Sequence, residues 1–225
     1  MIHGIRQLLL LIVVLALALL SGCHPLAPGA LDAIHPISNT SRRGNVYLIR
    51  GWRDLYSVGI DQLAEELRQR GVSVQVYQDA QWQELSATIA DRYHAASRFE
   101  PLVLIGFSYG ADDVVRTAQR LERRGISPDL LITIDPVTPP PVPANVRVCY
   151  NFFQTNGVWD VFPWLRGVAL NSAGAGMVVN VDIRRDRPDL LETNTTHSNI
   201  AANPKLHRAI IERVLGVCTP SDDRK

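Results

Sequence analysis

Residues 101–110, PLVLIGFSYG, decide how the rest of the chain is built. Leu102 to Ile105 is a short, unbroken apolar run, the pattern of a strand buried on both faces. It enters Gly106-Phe107-Ser108-Tyr109-Gly110, which fits the nucleophile-elbow pattern G-x-S-x-G. A serine in that pattern is held out on a sharp turn from strand into helix. A Cβ at position 106 or 110 would collide as the chain reverses, so both positions are glycine. Ala111, Val114, Val115, Ala118 and Leu121 then recur at helical spacing. Arg123 and Arg124 fall in the last turn and Gly125 ends it. The N–H groups at the start of that helix would face the serine, where negative charge develops during attack on a carbonyl.

Working outward, strands alternate with helices. Asn45 to Arg50 reads as a strand, followed by a helix with Ile60, Leu63, Ala64 and Leu67 on one face and Gly71 at its end. Val72 to Tyr77 alternates as a strand, and Gln81 to Ser97 reads as a helix with Leu85, Ile89 and Tyr93 four apart. After the elbow and its helix come strands at Leu130 to Ile134, Val146 to Phe153 and Met177 to Ile183. A last helix opens at Asn203 as cap and Pro204 as first helical residue, and is expected to close at Gly216. This alternation implies an α/β class protein with a mostly parallel, doubly wound sheet. Strand, elbow and helix together resemble the α/β-hydrolases, which implies that fold. Only residues 154–175 leave room for a lid, so the lid would be minimal.

A serine hydroxyl needs a base to take its proton and an acid to orient the base. In α/β-hydrolases the order along the chain is serine, acid, histidine. The base should therefore follow the last strand and precede the last helix, where His197 stands. His3, His24 and His35 precede the domain, and His94 and His207 fall within expected helices. Two acids qualify, because site residues gather at the C-terminal ends of parallel strands. Asp135 ends the strand after the elbow helix, and Asp160 follows the next strand. The run Gly106 to Pro140 resembles the core of thioesterase-type α/β-hydrolases. That resemblance implies Asp135 as the acid and leaves Asp160 as the alternative. Gly106 to Asp113 also resembles the elbow of VirJ-type periplasmic hydrolases, which implies phospholipid-derived substrates. Asp112 and Asp113, in the first helical turn, read as complements to the helix dipole.

An oxyanion hole needs two N–H donors about 3 Å from the developing charge. Tyr109, after the serine, should supply one. Trp52, after Gly51, is the candidate for the other. Many family members have His-Gly where this chain has Arg50-Gly51, and glycine where it has Ala111. Arg53 could hold an anionic substrate group. Trp52, Tyr109, Phe152, Phe153, Trp159, Phe162 and Trp164 concentrate near the same loops and could wall an apolar substrate. No Cys/His cluster has metal-ligand spacing and no Gly-rich phosphate loop occurs, so no metal or cofactor is expected.

The first residues carry a separate message. Leu8 to Leu20 is an apolar run of 13 residues, short for a membrane span of about 20 and suited to a signal peptide. Leu20-Ser21-Gly22-Cys23 resembles the lipobox of bacterial lipoproteins. This implies cleavage after residue 22, lipidation of Cys23 and a membrane anchor at the cell envelope facing the periplasm. His24, rather than Asp, implies the outer membrane in a Gram-negative cell. Residues 23–44, rich in proline and small polar residues, read as a tether, 45–218 as the hydrolase domain and 219–225 as a tail. Removing Arg6 with the signal leaves 22 basic residues (23 less one) against 22 acidic ones. That balance gives no reason to expect nucleic acid. Cys149 and Cys218 remain, and in an oxidising compartment they could pair or stay free.

These readings converge on an envelope-anchored serine hydrolase of a small-molecule or lipid-like acyl substrate, an ester before a thioester or amide. The competing classes are a non-catalytic binding module on the same fold and an acyltransferase.

Overall fold

The computed structural model describes residues 26–31, 41–54, 57–96, 100–162, 167–174 and 176–221. The expected signal peptide, Cys23, Trp164 and residues 222–225 lie outside them. Among the described residues, no helix is long and apolar enough to cross a membrane.

Six strands form one sheet: β1 (Asn45–Ile49), β2 (Ser73–Tyr77), β3 (Leu102–Phe107), β4 (Leu130–Ile134), β5 (Val148–Phe153) and β6 (Met177–Asp182). Their order is β2-β1-β3-β4-β5-β6, and every pairing is parallel. Among the described residues four helices cover it: α1 (Val58–Arg68), α2 (Trp82–Ala95), α3 (Tyr109–Glu122) and α4 (Pro204–Val217). With the strand–turn–helix that carries Ser108 at the end of β3, this is the α/β-hydrolase fold. β1, β3 and β4 are buried along their whole length and read as apolar runs because helices cover both faces. Val103, Ile105 and Phe107 share one core with Leu63 of α1 and Ile210 of α4. Leu102 and Leu104, one residue out of phase, share the other with Ile89 of α2 and Val115 of α3. Strand order reverses beside β1, with β2 on one side and β3 on the other, and it is at the C-terminal ends of strands at such a switch point that ligands bind in open parallel sheets. Both the Trp52 loop, after β1, and Ser108, after β3, stand at that switch point.

Several expectations need correction. Asn203 does cap α4, accepting from the N–H of Lys205 and Leu206. The helix nevertheless passes through Gly216 and ends at Val217, with the Cys218 N–H bonded to Val214 O at 2.7 Å. β5 begins at Val148, two residues late, and Gln81 belongs to a single 3-10 turn ahead of α2.

Of the two states left open for the cysteines, pairing or staying free, the structure has the second. Cys149 and Cys218 are both free and buried. Cys149 lies in the core beneath α2 and α3, Cys218 in the core beneath α1 and α4, so the sheet separates them. Burial pushes both thiols up to about 12.

The expected tether is partly laid on the domain. The Leu26 N–H donates to Asp61 Oδ2 at 3.0 Å, and Arg50 donates to Leu26 O. Arg50 is itself buried, its Nε 2.9 Å from Asp61 Oδ1. The Gly29 N–H donates to Val76 O near the end of β2. Either side of the expected domain limits, the Arg43 N–H donates to Thr219 O and the Ser221 N–H to Ser41 O, both at 2.9 Å.

Candidate active site

The elbow is built by steric demand at three residues. Ser108 has φ 56° and ψ −125°, a conformation rarely adopted outside glycine, at the junction of β3 and α3. A Cβ on Gly106 would sit 2.2 Å from Gly110 O, and one on Gly110 would sit 2.2 Å from Arg50 O. The first glycine lets the strand meet the helix it feeds. The second lets that helix rest on the end of β1. The Ser108 N–H donates to Ile134 O at 2.9 Å, and Ser108 O accepts from the N–H of Ala111 and Asp112.

Three residues from distant parts of the chain meet here. Ser108 Oγ is 2.9 Å from His197 Nε2, and His197 Nδ1 is 3.1 Å from Asp135 Oδ2. An ionised carboxylate can only accept, so the Nδ1 proton points at Asp135 and the Nε2 lone pair faces the serine. All three are buried, Asp135 completely. The imidazole lies beside Phe107, ring centroids 5.4 Å apart, which fixes its tilt. Asp135 also has positive φ, 46°, so a second strained residue stands at the site.

Asp135 is held from several sides. Its Oδ1 accepts from the Gln154 N–H at 2.9 Å, and its Oδ2 from Gln154 Nε2 at 3.1 Å. Arg184 orients that amide through Oε1 at 2.8 Å and reaches Thr195 O, two residues before His197, at 2.7 Å. A Cβ on Gly167 would lie 2.3 Å from Asp135 Oδ1, so a side chain there would meet the carboxylate. Asp160, the alternative acid, accepts from the Asn156 N–H at 2.6 Å and closes its own 3-10 turn, Gly157–Val161.

Asp112 does more than complement a helix dipole. It is fully buried and accepts from Val137 N–H, Thr138 N–H and Thr138 Oγ1 at 2.8–3.2 Å. It thereby ties the elbow helix to the loop that carries Asp135. Burial raises its pKa, opposed by those hydrogen bonds. Burial pushes Asp113 up to about 6, opposed by Arg116 at 2.7 Å.

Tyr109 opens α3, so its N–H has no intrahelical acceptor and stands next to Ser108. Trp52 lies in a short 3-10 turn, Trp52–Asp54, with an exposed indole. The Gly51 N–H is engaged by Ser57 Oγ at 3.1 Å, which pins the start of that loop. Arg53 stacks over the Trp52 ring at 5.7 Å. Phe152 and Phe153 are core residues. His94 and His207 bond to Arg124 O and to Glu66 and Ala201 O, away from the serine.

Gln154, Arg184 and Gly167 were not singled out in sequence, and Asp112 was read only as a complement to the helix dipole. Gln154 had one available signal, since it follows the C-terminal end of β5, next along the sheet from Asp135.

No protein-family model matches this chain, and no curated protein does. Solved structures with a similar path include a lidless α/β serine hydrolase from Xanthomonas campestris, 17% identical over 83% of this chain and 88% of that one, TM-score 0.46. Another is Est1E from Butyrivibrio proteoclasticus, 12% identical over 79% and 89%, TM-score 0.44. A third is the thioesterase domain that cyclises the lipopeptide antibiotic surfactin, 12% identical over 79% and 94%, TM-score 0.47. At such identities and scores these likenesses carry no weight for activity or substrate.

Proposed function

We propose that this chain is a serine hydrolase that cleaves an acyl ester through Ser108, His197 and Asp135. The observation that carries the reading is the continuous line of hydrogen bonds from Ser108 Oγ through both imidazole nitrogens to Asp135. Ser108 Oγ attacks the acyl carbonyl carbon while its proton passes to His197 Nε2. The carbonyl oxygen becomes an oxyanion, met by the N–H groups of Tyr109 and Trp52. Collapse breaks the bond to the leaving group, which departs with the proton from Nε2. Water then gives its proton to Nε2 and attacks the acyl-serine, the carboxylic acid leaves, and Ser108 regains its proton. Asp135 holds the ring in one tautomer and stabilises the imidazolium in both halves. A thioester or amide would follow the same course.

Anchoring at the cell envelope through lipidated Cys23 belongs to the same reading and rests on the lipobox-like Leu20-Ser21-Gly22-Cys23. Replacing Cys23 by serine should release the protein from membranes; continued retention would contradict a lipid anchor on that residue.

The activity is tested with a panel of chromogenic esters of increasing acyl length, using wild type and Ser108→Ala. Turnover that disappears in Ser108→Ala supports the reading. Turnover unchanged in that variant, or absent from the wild type on every ester, thioester and amide tried, contradicts it. Adding an alcohol and analysing products separates hydrolysis from acyl transfer.

A further inference from the structure

The exposed apolar side chains are unevenly placed. Six large ones are exposed among the described residues: Leu26, Trp52, Tyr109, Val161, Phe162 and Met177. Strands of a parallel sheet all end at the same edge. Trp52 follows the end of β1, Tyr109 the end of β3, and Val161 and Phe162 the end of β5. The loop carrying the last two leaves and returns at the site, because Gly167 N–H bonds back to Gln154 O. Leu26 joins the same edge through Arg50, after β1, and Asp61, in the first turn of α1. Only Met177, the first residue of β6, lies at the opposite edge.

The course of the chain leads to the same place. Cys23 and the apolar run Leu8 to Leu20 precede Leu26 in sequence. Three residues span at most about 11 Å. A chain held by lipid on Cys23, or by the apolar run itself, would meet the domain where Leu26 is fastened to Arg50 and Asp61. After β6 on this edge, Arg185 pairs with Asp186 and Arg187 with Asp189. Trp52 with Arg53 stacked on it suits a membrane–water interface, where an aromatic ring sinks and a guanidinium stays wet.

We propose that the edge bearing Ser108 lies against a lipid bilayer, so that the site takes acyl substrates presented at the membrane surface. The orientation stands on the exposed residues and the fastening of Leu26. The substrate class rests in addition on the hydrolase reading.

Two arms keep these apart. In the first, full-length Val161→Cys and Met177→Cys proteins are labelled with an NBD fluorophore and mixed with vesicles of phosphatidylethanolamine and phosphatidylglycerol. Both carry the same three native cysteines, so their difference reports the new position. Val161→Cys should shift to the blue and brighten about threefold, with Met177→Cys little changed. An equal or larger response at Met177→Cys, or no response at Val161→Cys, overturns the orientation whether or not the protein is an enzyme. In the second arm, Val161→Glu should lose about tenfold in rate on a vesicle-embedded ester and stay within twofold of wild type on a short soluble one. Equal loss on both, or on neither, overturns the membrane-presented substrate. A wild type inactive on both esters, with the Val161→Cys response intact, overturns the hydrolase reading and the substrate class but leaves the orientation standing.

Discussion

Ser108 and His197, 89 residues apart in sequence, are 2.9 Å apart between Oγ and Nε2. The strained turn at Ser108 is held by two glycines with no room for a Cβ, and the imidazole by Phe107 on one side and Asp135 on the other. A buried hydroxyl fixed against a ring nitrogen is an arrangement for moving a proton.

The acid can be assigned by charge removal. Asp135→Asn keeps the shape of the site but can donate toward Nδ1, favouring the wrong tautomer. It should lower kcat by about 10³–10⁴-fold. Asp160→Asn should stay within a few-fold, because Asp160 closes a local turn. Steady-state kinetics on one ester compare the two, and the opposite ranking would move the role to Asp160.

Gln154 should act through Asp135. A hydrogen bond to a charged group contributes about 1.5–3 kcal/mol, and about 1.4 kcal/mol of it in the transition state is tenfold in rate. Gln154→Met removes the side-chain donor 3.1 Å from Asp135 and frees Arg184 from its amide. The expectation is a kcat lower by roughly tenfold with KM little changed. A change confined to KM would place Gln154 against substrate instead.

Two glycines with opposite surroundings, Gly110 and Gly216, should respond oppositely to alanine. Gly110→Ala drives a methyl to 2.2 Å from Arg50 O, so its cost should exceed the usual range of about 0.5–3 kcal/mol. Gly216 is helical with nothing within 4 Å of its Cβ position. Gly216→Ala should stabilise by about 0.5–1 kcal/mol. Urea denaturation measures both, and a destabilised Gly216→Ala would mean that the helix stops there after all.

Asp113 gives a pH dependence of defined sign. Its folded pKa, about 6, lies above the ordinary 3.8 because burial disfavours the charge. Between those values the folded protein keeps a proton that the unfolded chain has lost. The contribution of this group is therefore fully present below pH 3.8 and is lost as pH rises through 6. The loss is at most about 3 kcal/mol. Asp113→Asn should flatten the stability–pH curve between pH 4 and 6, read from urea midpoints; an unchanged slope would mean that Asp113 ionises as freely as in the unfolded chain.

Much of this was legible in sequence where one residue determines the local structure. Gly106, Ser108 and Gly110 announce the elbow because few other residues fit there, and apolar periodicity gave the order of strands and helices. His197 followed from its place between the last strand and the last helix. The ties around Asp135 were not legible. Asp112, Gln154 and Arg184 are polar residues whose partners lie 11–30 positions away, across loops that carry no periodicity. Whether the cysteines pair was open in sequence for a related reason: only the fold shows that the sheet lies between Cys149 and Cys218. The glycine near the end of α4 read as a stop, but a glycine can also simply be helical, as Gly216 is.

The central claim is that Ser108 is an activated nucleophile. The direct measurement is mass spectrometry of the folded protein after treatment with a fluorophosphonate. The account predicts one adduct, on the peptide containing Ser108, absent in Ser108→Ala and formed at least about 100-fold more slowly in His197→Gln. No adduct on Ser108, or labelling at the same rate without the imidazole, would contradict it.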